Sequence, residues 1–161
     1  MLMFCWRQLE AGIKLAKELT LKAIGVVRNK AKPAAKPDWG KITSEIVIDS
    51  SLTKALDGLE EFSHIIVLYW MHQAARSKVP LKVHPMGTPE LPLVGLFATR
   101  SPKRPNPIGK ATVRLLKRRG NILTVKGLDA FDGTPVIDIK PYIPGCDAVA
   151  DAKVPQWVTN Q

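Results

Sequence analysis

The sequence predicts an all-β fold: a small β-barrel, closed or nearly closed, of about seven strands, with short helices and an extra helix at the N-terminus. Three observations predict it. Short apolar or alternating runs recur from Leu21 onward, each bounded by turn residues. Helical periodicity within that region is confined to brief segments. No GxGxxG or GxxxxGK(S/T) occurs and nothing suggests βαβ units, which argues against a Rossmann-type nucleotide fold. The chain divides into a helical appendage (1–20), a barrel domain (21–144) and a C-terminal tail (145–161) without clear periodicity.

The elements follow in order. Leu2, Trp6, Leu9, Ile13 and Ala16 recur at helical spacing, which predicts an amphipathic helix over about 2–18. Its apolar face is expected to pack on the barrel or on a partner subunit. Residues 21–28 read as the first strand, 29–41 as a proline-containing loop, and 42–48 as the second strand by alternation. Ser50 or Ser51 is placed to cap a short helical turn carrying Leu52, Ala55 and Leu56, with Gly58 ending it. Residues 63–70 (SHIIVLYW) are strongly β-prone. A long connection with four prolines fills 71–92, and 93–99 reads as another strand. Residues 110–117 and 122–128 pair as a hairpin across Arg118-Arg-Gly-Asn121. A second tight turn sits at Phe131-Asp-Gly-Thr134, and 136–140 is the last strand.

The 161 residues suffice for a core without staples. Two cysteines, Cys5 and Cys146, far apart in sequence, form no disulfide framework and fit a reducing cytoplasm. No apolar run approaches the length of a membrane span, and Arg7, Gln8 and Glu10 break the first apolar stretch, unlike a signal peptide. The net charge of +10 is unevenly placed: nine Lys and Arg and no acid lie between Leu91 and Leu128. A segregated positive field attracts polyanions, and nucleic acid is the first candidate.

The chemistry-bearing residues are few. Phe97-Ala-Thr-Arg-Ser-Pro-Lys-Arg-Pro-Asn-Pro-Ile-Gly109 holds three prolines in six residues, so it is neither helix nor central strand. Arg100, Lys103 and Arg104 on this stiff loop suit an anionic or planar ligand, since the guanidinium is a planar fork that also stacks on rings. The three histidines, His64, His72 and His84, lack metal-ligand spacing, so no metal site is expected. His64 reads as a satisfied core histidine and His72 as a loop residue. Asp129 and Asp132 are either turn-bonding aspartates or acceptors for a ribose hydroxyl or amine.

FATRSPKRPNPIG, followed by LDAFDGTPVIDIKPYIP and preceded by AIGVVRN and LDGLEEFSHIIVLYW, resembles the TsaA/TrmO-like family over residues 21–144. The resemblance implies a β-barrel that binds S-adenosyl-L-methionine and forms homodimers with the cofactor near the subunit interface. It also implies a methyltransferase acting on N6 of threonylcarbamoyladenosine at position 37 of tRNA. The cofactor contacts carried over are Trp39, Gly40, His72, Gln73, Arg100, Lys110, Asp132, Gly133, Thr134 and Pro135. Lys103 and Arg104 are expected to face RNA. Asn106, in an Asn-Pro pair like those of other adenine methyltransferases, is either catalytic or shapes its loop. Longer family members carry a second domain. The acceptor therefore stays open between tRNA and a small metabolite, with a non-catalytic RNA-binding barrel as the alternative of another class.

Overall fold

The structure, a computed structural model, describes residues 19–31, 37–74 and 78–159. Its eight described strands are β1 (Gly25–Arg28), β2 (Thr43–Ile48), β3 (His64–Trp70), β4 (Lys82–Val83), β5 (Val94–Gly95), β6 (Ile108–Arg119), β7 (Ile122–Lys126) and β8 (Pro135–Pro141). Six of them close an antiparallel barrel in the order β1-β2-β7-β6-β3-β8, with β8 returning to β1. β4 and β5 form a separate two-stranded ribbon within the long connection. Closure leaves no free barrel edge to template aggregation.

Alternation places the core. Val27, Ile46, Ile65, Val67, Val113, Leu123, Val125 and Val136 are inward and essentially buried. β-branched residues suit this pleated, half-buried surface. The β6–β7 hairpin closes at Gly120-Asn121, between the paired Arg119 and Ile122, with Gly120 at φ 58°. Two glycines permit close approach. A Cβ on Gly25 would lie 2.5 Å from the Val47 carbonyl oxygen, and one on Gly109 would lie 2.3 Å from the Tyr69 ring.

Several expectations need correction. The expected strand 93–99 shrinks to Val94–Gly95, followed by a 3-10 turn over Leu96–Ala98. Only Leu96 is buried there, so the segment has one apolar anchor rather than an alternating face. The first strand begins at Gly25, because Leu21 to Ala23 face solvent. The capped turn spans Ser50–Leu56, and its cap is Asp49, whose carboxylate accepts from the Ser51 N–H (2.9 Å) and hydroxyl (2.7 Å). Gly58, left-handed at φ 83°, directly follows the cap residue Asp57 and so ends that turn as expected, leading into the next one, Leu59–Glu61. The tail holds two single-turn helices, α1 (Pro144–Asp147) and α2 (Gln156–Thr159). The expected N-terminal helix lies outside the described residues. No described helix is long and apolar enough to cross a membrane.

Candidate functional site at one barrel rim

Register gathers the candidate residues. Antiparallel pairing sets the ends of β1, β3 and β7 beside the beginnings of β2, β6 and β8. The pairs Arg28↔Glu45, Thr43↔Lys126, Trp70↔Ile108 and Val26↔Pro135 mark this rim. Three connections open there: 29–42, 71–107 and 127–134. They carry Trp39 and Gly40, then His72, Gln73, Arg100 and Asn106, then Asp132, Gly133 and Thr134. Lys110 and Pro135 lie on the first turns of the strands that follow. The opposite rim carries none of the candidate residues.

Two clusters form on the rim. In the first, the Trp39 and Phe131 rings meet edge to face at 5.2 Å, which joins the loop before β2 to the turn before β8. Asn29 ties that turn to β1 and β2. Its backbone N–H donates to Asp132 Oδ1 (3.0 Å), and its amide donates to Ser44 Oγ (3.0 Å) and the Ala130 carbonyl (2.8 Å). Gly133, at φ 76°, donates to the Val27 carbonyl, and Thr134 is buried and closes the turn onto Phe131. One Asp132 oxygen is thereby held, leaving the other open to a ligand donor.

In the second cluster, the Met71 N–H donates to the Pro107 carbonyl (2.8 Å), which extends the β3–β6 pairing by one step and brings the start of the His72-Gln73 loop to the end of the loop that carries Asn106. Lys110 pairs with Leu68 on the outward face. Arg100 is exposed and makes no ion pair among the described residues. Arg104 is half-buried and turned back on its own loop: it donates to the Thr99 carbonyl (2.8 Å) and lies 5.4 Å over the Phe97 ring. Lys103 is exposed.

Tyr69 joins the two clusters. Its buried ring packs over Gly109, and its hydroxyl donates to the Asp129 carbonyl. Burial pushes the phenol up to about 12, so it stays a donor. Asp129 itself is exposed by area, yet desolvation by its surroundings raises its carboxyl above the usual range. Neither Tyr69 nor Asn29 stands out in the sequence as a site residue. A tyrosine opposite a glycine and an asparagine at a strand end were the available signals. His64 is corrected: it sits half-buried on the outward face, with Nδ1 2.9 Å from Ser63 Oγ.

A cleft of about 780 Å³ lies alongside, lined by Arg28, Lys30, Pro37, Thr43, Glu45 and neighbours. None of the ten expected cofactor contacts lines it. The rim, not this cleft, combines an aromatic pair, a part-open carboxylate, a free guanidinium and exposed backbone in tight turns. That donor set fits a ligand bearing a flat heterocycle, ribose hydroxyls and an amino-acid end.

The description "tRNA-methyltransferase O N-terminal domain" matches residues 27–148. The chain belongs to the TrmO family. TrmO from Pseudomonas aeruginosa, solved by crystallography, superposes with a TM-score of 0.71 at 34% identity, covering 91% of this chain and 64% of that one. Two archaeal relatives are each 47% identical and each named a probable S-adenosyl-L-methionine-binding protein. The Methanothermobacter thermautotrophicus protein aligns over 82% of this chain and 96% of its own length. The Archaeoglobus fulgidus protein aligns over 83% of this chain but only 37% of its own length. A mouse tRNA (adenine(37)-N6)-methyltransferase is 43% identical over 62% of this chain and 23% of its own length. The TrmO domain here thus spans the full extent of some relatives and a minor part of others.

Proposed function

We propose that the TrmO domain transfers a methyl group from S-adenosyl-L-methionine to N6 of threonylcarbamoyladenosine at position 37 of tRNA. The convergence of every expected cofactor contact on one rim carries this reading. When bound, S-adenosyl-L-methionine would supply an electrophilic sulfonium methyl for transfer to the acceptor nitrogen, with the thioether as leaving group, which keeps the S–C electron pair, and with the nitrogen's proton released to water. The Trp39–Phe131 pair offers a flat ledge for adenine. The open Asp132 oxygen accepts from a ribose hydroxyl, and Arg100 takes the carboxylate end. Gly40, His72, Gln73, Lys110, Gly133, Thr134 and Pro135 complete the contacts, several through backbone. Asn106, exposed on the loop before β6, is proposed to meet the acceptor base. Positioning for in-line displacement supplies most of the rate, so no strong general base is required.

The same reading places the protein in the cytoplasm as a homodimer. Exposed Leu81, Met86, Leu93 and Phe97, crowded onto one connection, support a subunit contact.

Calorimetry with S-adenosyl-L-methionine, and mass spectrometry of tRNA nucleosides after incubation with labelled cofactor, test the reading. Expected are cofactor binding, label in the modified adenosine, and about tenfold weaker cofactor binding by Arg100→Ala, since hydrogen bonds to charged groups contribute ~1.5–3 kcal/mol. No cofactor binding overturns it, and label only in small molecules reassigns the acceptor.

A further inference from the structure

The outer wall of β6 and β7 keeps like charges face to face. Residues opposite each other in an antiparallel pair share a face. Arg114 lies opposite Lys126 on β7 and His64 on β3, and Lys126 lies opposite Thr43 on β2. Val113, Leu115 and Val125 point inward and are buried, so this row points outward. Arg114, Lys126, Lys110 and Thr112 are all exposed.

Like charges directly opposite each other destabilise a sheet, and nothing described relieves them. The described ion pairs join Lys41 to Asp38, Arg118 to Asp57 and Glu60, and Lys140 to Asp138. Glu45, the acid nearest in register, lies opposite Arg28 and Thr124. The strip starts at Lys110 on the functional rim and reaches Arg114 about 13 Å further along the strand. Threonines Thr43, Thr112 and Thr124 lie outward among the charges, with the exposed Ile108 and Leu116 at the two ends of the strip on β6. Threonine hydroxyls hydrogen-bond to phosphate.

We propose that this wall, centred on Arg114 and Lys126, docks the sugar-phosphate backbone of the RNA whose reacting base sits at the rim. The choice of RNA rests on the methyltransferase reading above. The expected RNA contacts Lys103 and Arg104 lie in the loop before β6, and Arg104 is engaged within that loop. The sheet wall supplies fixed positive charge where the loop supplies less.

Fluorescence anisotropy with labelled tRNA at 50–200 mM salt tests the proposal on the full chain. Arg114→Gln/Lys126→Gln is compared with Lys22→Gln/Lys54→Gln, which changes net charge equally at exposed sites away from the wall. The wall variant is expected to bind about fivefold or more weaker, with a salt slope smaller by about 1.4–1.8, the change for two lost phosphate contacts. Its affinity for S-adenosyl-L-methionine is expected to be unchanged. Lys126→Glu sets opposite charges face to face, so its Tm is expected to rise while RNA affinity falls, a divergence that a purely structural role does not produce. Equal losses in wall and control variants, or an unchanged slope, overturn the proposal. So does tighter binding to phosphatidylserine vesicles than to tRNA. Absent methyl transfer with wall-dependent RNA binding leaves the proposal standing and removes the enzymatic reading; intact transfer with wall-independent binding does the reverse.

Discussion

Gly109 is the residue on which the rim's geometry turns. Tyr69 can cross from β3 to reach the Asp129 carbonyl only because the residue opposite it has no side chain. An added Cβ would lie 2.3–2.9 Å from three ring atoms. The ring sits in the packed core and cannot swing clear without moving Asp129. Gly109→Ala is therefore expected to destabilise by about 1–3 kcal/mol, the usual range for overpacking, as read by urea denaturation. It is also expected to weaken cofactor binding, because the ring links both rim clusters. Unchanged stability and binding would show that the ring repacks freely. The motif RPNPIG displayed this glycine openly, but its reason lay 40 residues earlier in Tyr69, which no local pattern connects to it.

At the scale of the element, β6 does two jobs divided by a bulge. Leu115 pairs with Val125, while Lys117 pairs with Thr124, so Leu116 is the extra residue. The shift flips the face that follows: Arg118 pairs with the buried Leu123 and turns toward the base of the barrel. There it donates to the Leu56 and Thr53 carbonyls and pairs with Asp57 (2.7 Å) and Glu60 (3.0 Å). It thus clamps the 3-10 turns that plug the barrel opposite the candidate rim. Arg118→Ala is expected to lower Tm more than Arg114→Ala or Arg119→Ala, and Arg118→Lys to recover only part, since an ammonium lacks the planar guanidinium that reaches three carbonyls (Gly120, Leu56 and Thr53) and two carboxylates. Equal Tm values for the three alanine variants would refute the clamp. From sequence the strands are legible here, but Arg118 falls in the expected turn 118–121, whereas β6 continues through Arg119. Alternation was visible in Val113 and Leu115. The bulge was not, because one extra apolar residue leaves no signature until its partner strand is known. For the same reason the expected strand 93–99 failed: its hydrophobic run has no partner beyond the two residues of β4.

Across the whole molecule, the two barrel ends respond to pH in opposite senses. At the base, the Glu60 carboxyl is held below its usual range, first by its own backbone N–H and then by Arg118. A depressed carboxyl contributes stability that is present above its unfolded value and lost as pH falls through the folded one. At the rim, desolvation raises Asp129. A raised carboxyl favours the fold below its unfolded value, and that contribution is lost as pH rises through the folded value. The candidate rim therefore keeps a carboxylate whose ionisation works against folding, the trade of stability expected where a rim holds a ligand site. Alternating strands, proline-rich loops and the tight DGTP turn made this rim's parts legible from sequence, whereas the environment of Asp129 depends on Tyr69, sixty residues away. Asp129→Asn is expected to raise Tm at pH 7 by no more than about 2–4 °C, since solvent screening keeps the effect to ~1 kcal/mol or less. The gain is expected to vanish below about pH 4, where the wild-type carboxyl is protonated in both states. Thermal scans of both proteins from pH 3.5 to 8 decide it. A gain that persists unchanged at pH 3.5 would trace to packing of the amide, and a loss at pH 7 would mean that the Asp129 carboxylate is itself a stabilising acceptor.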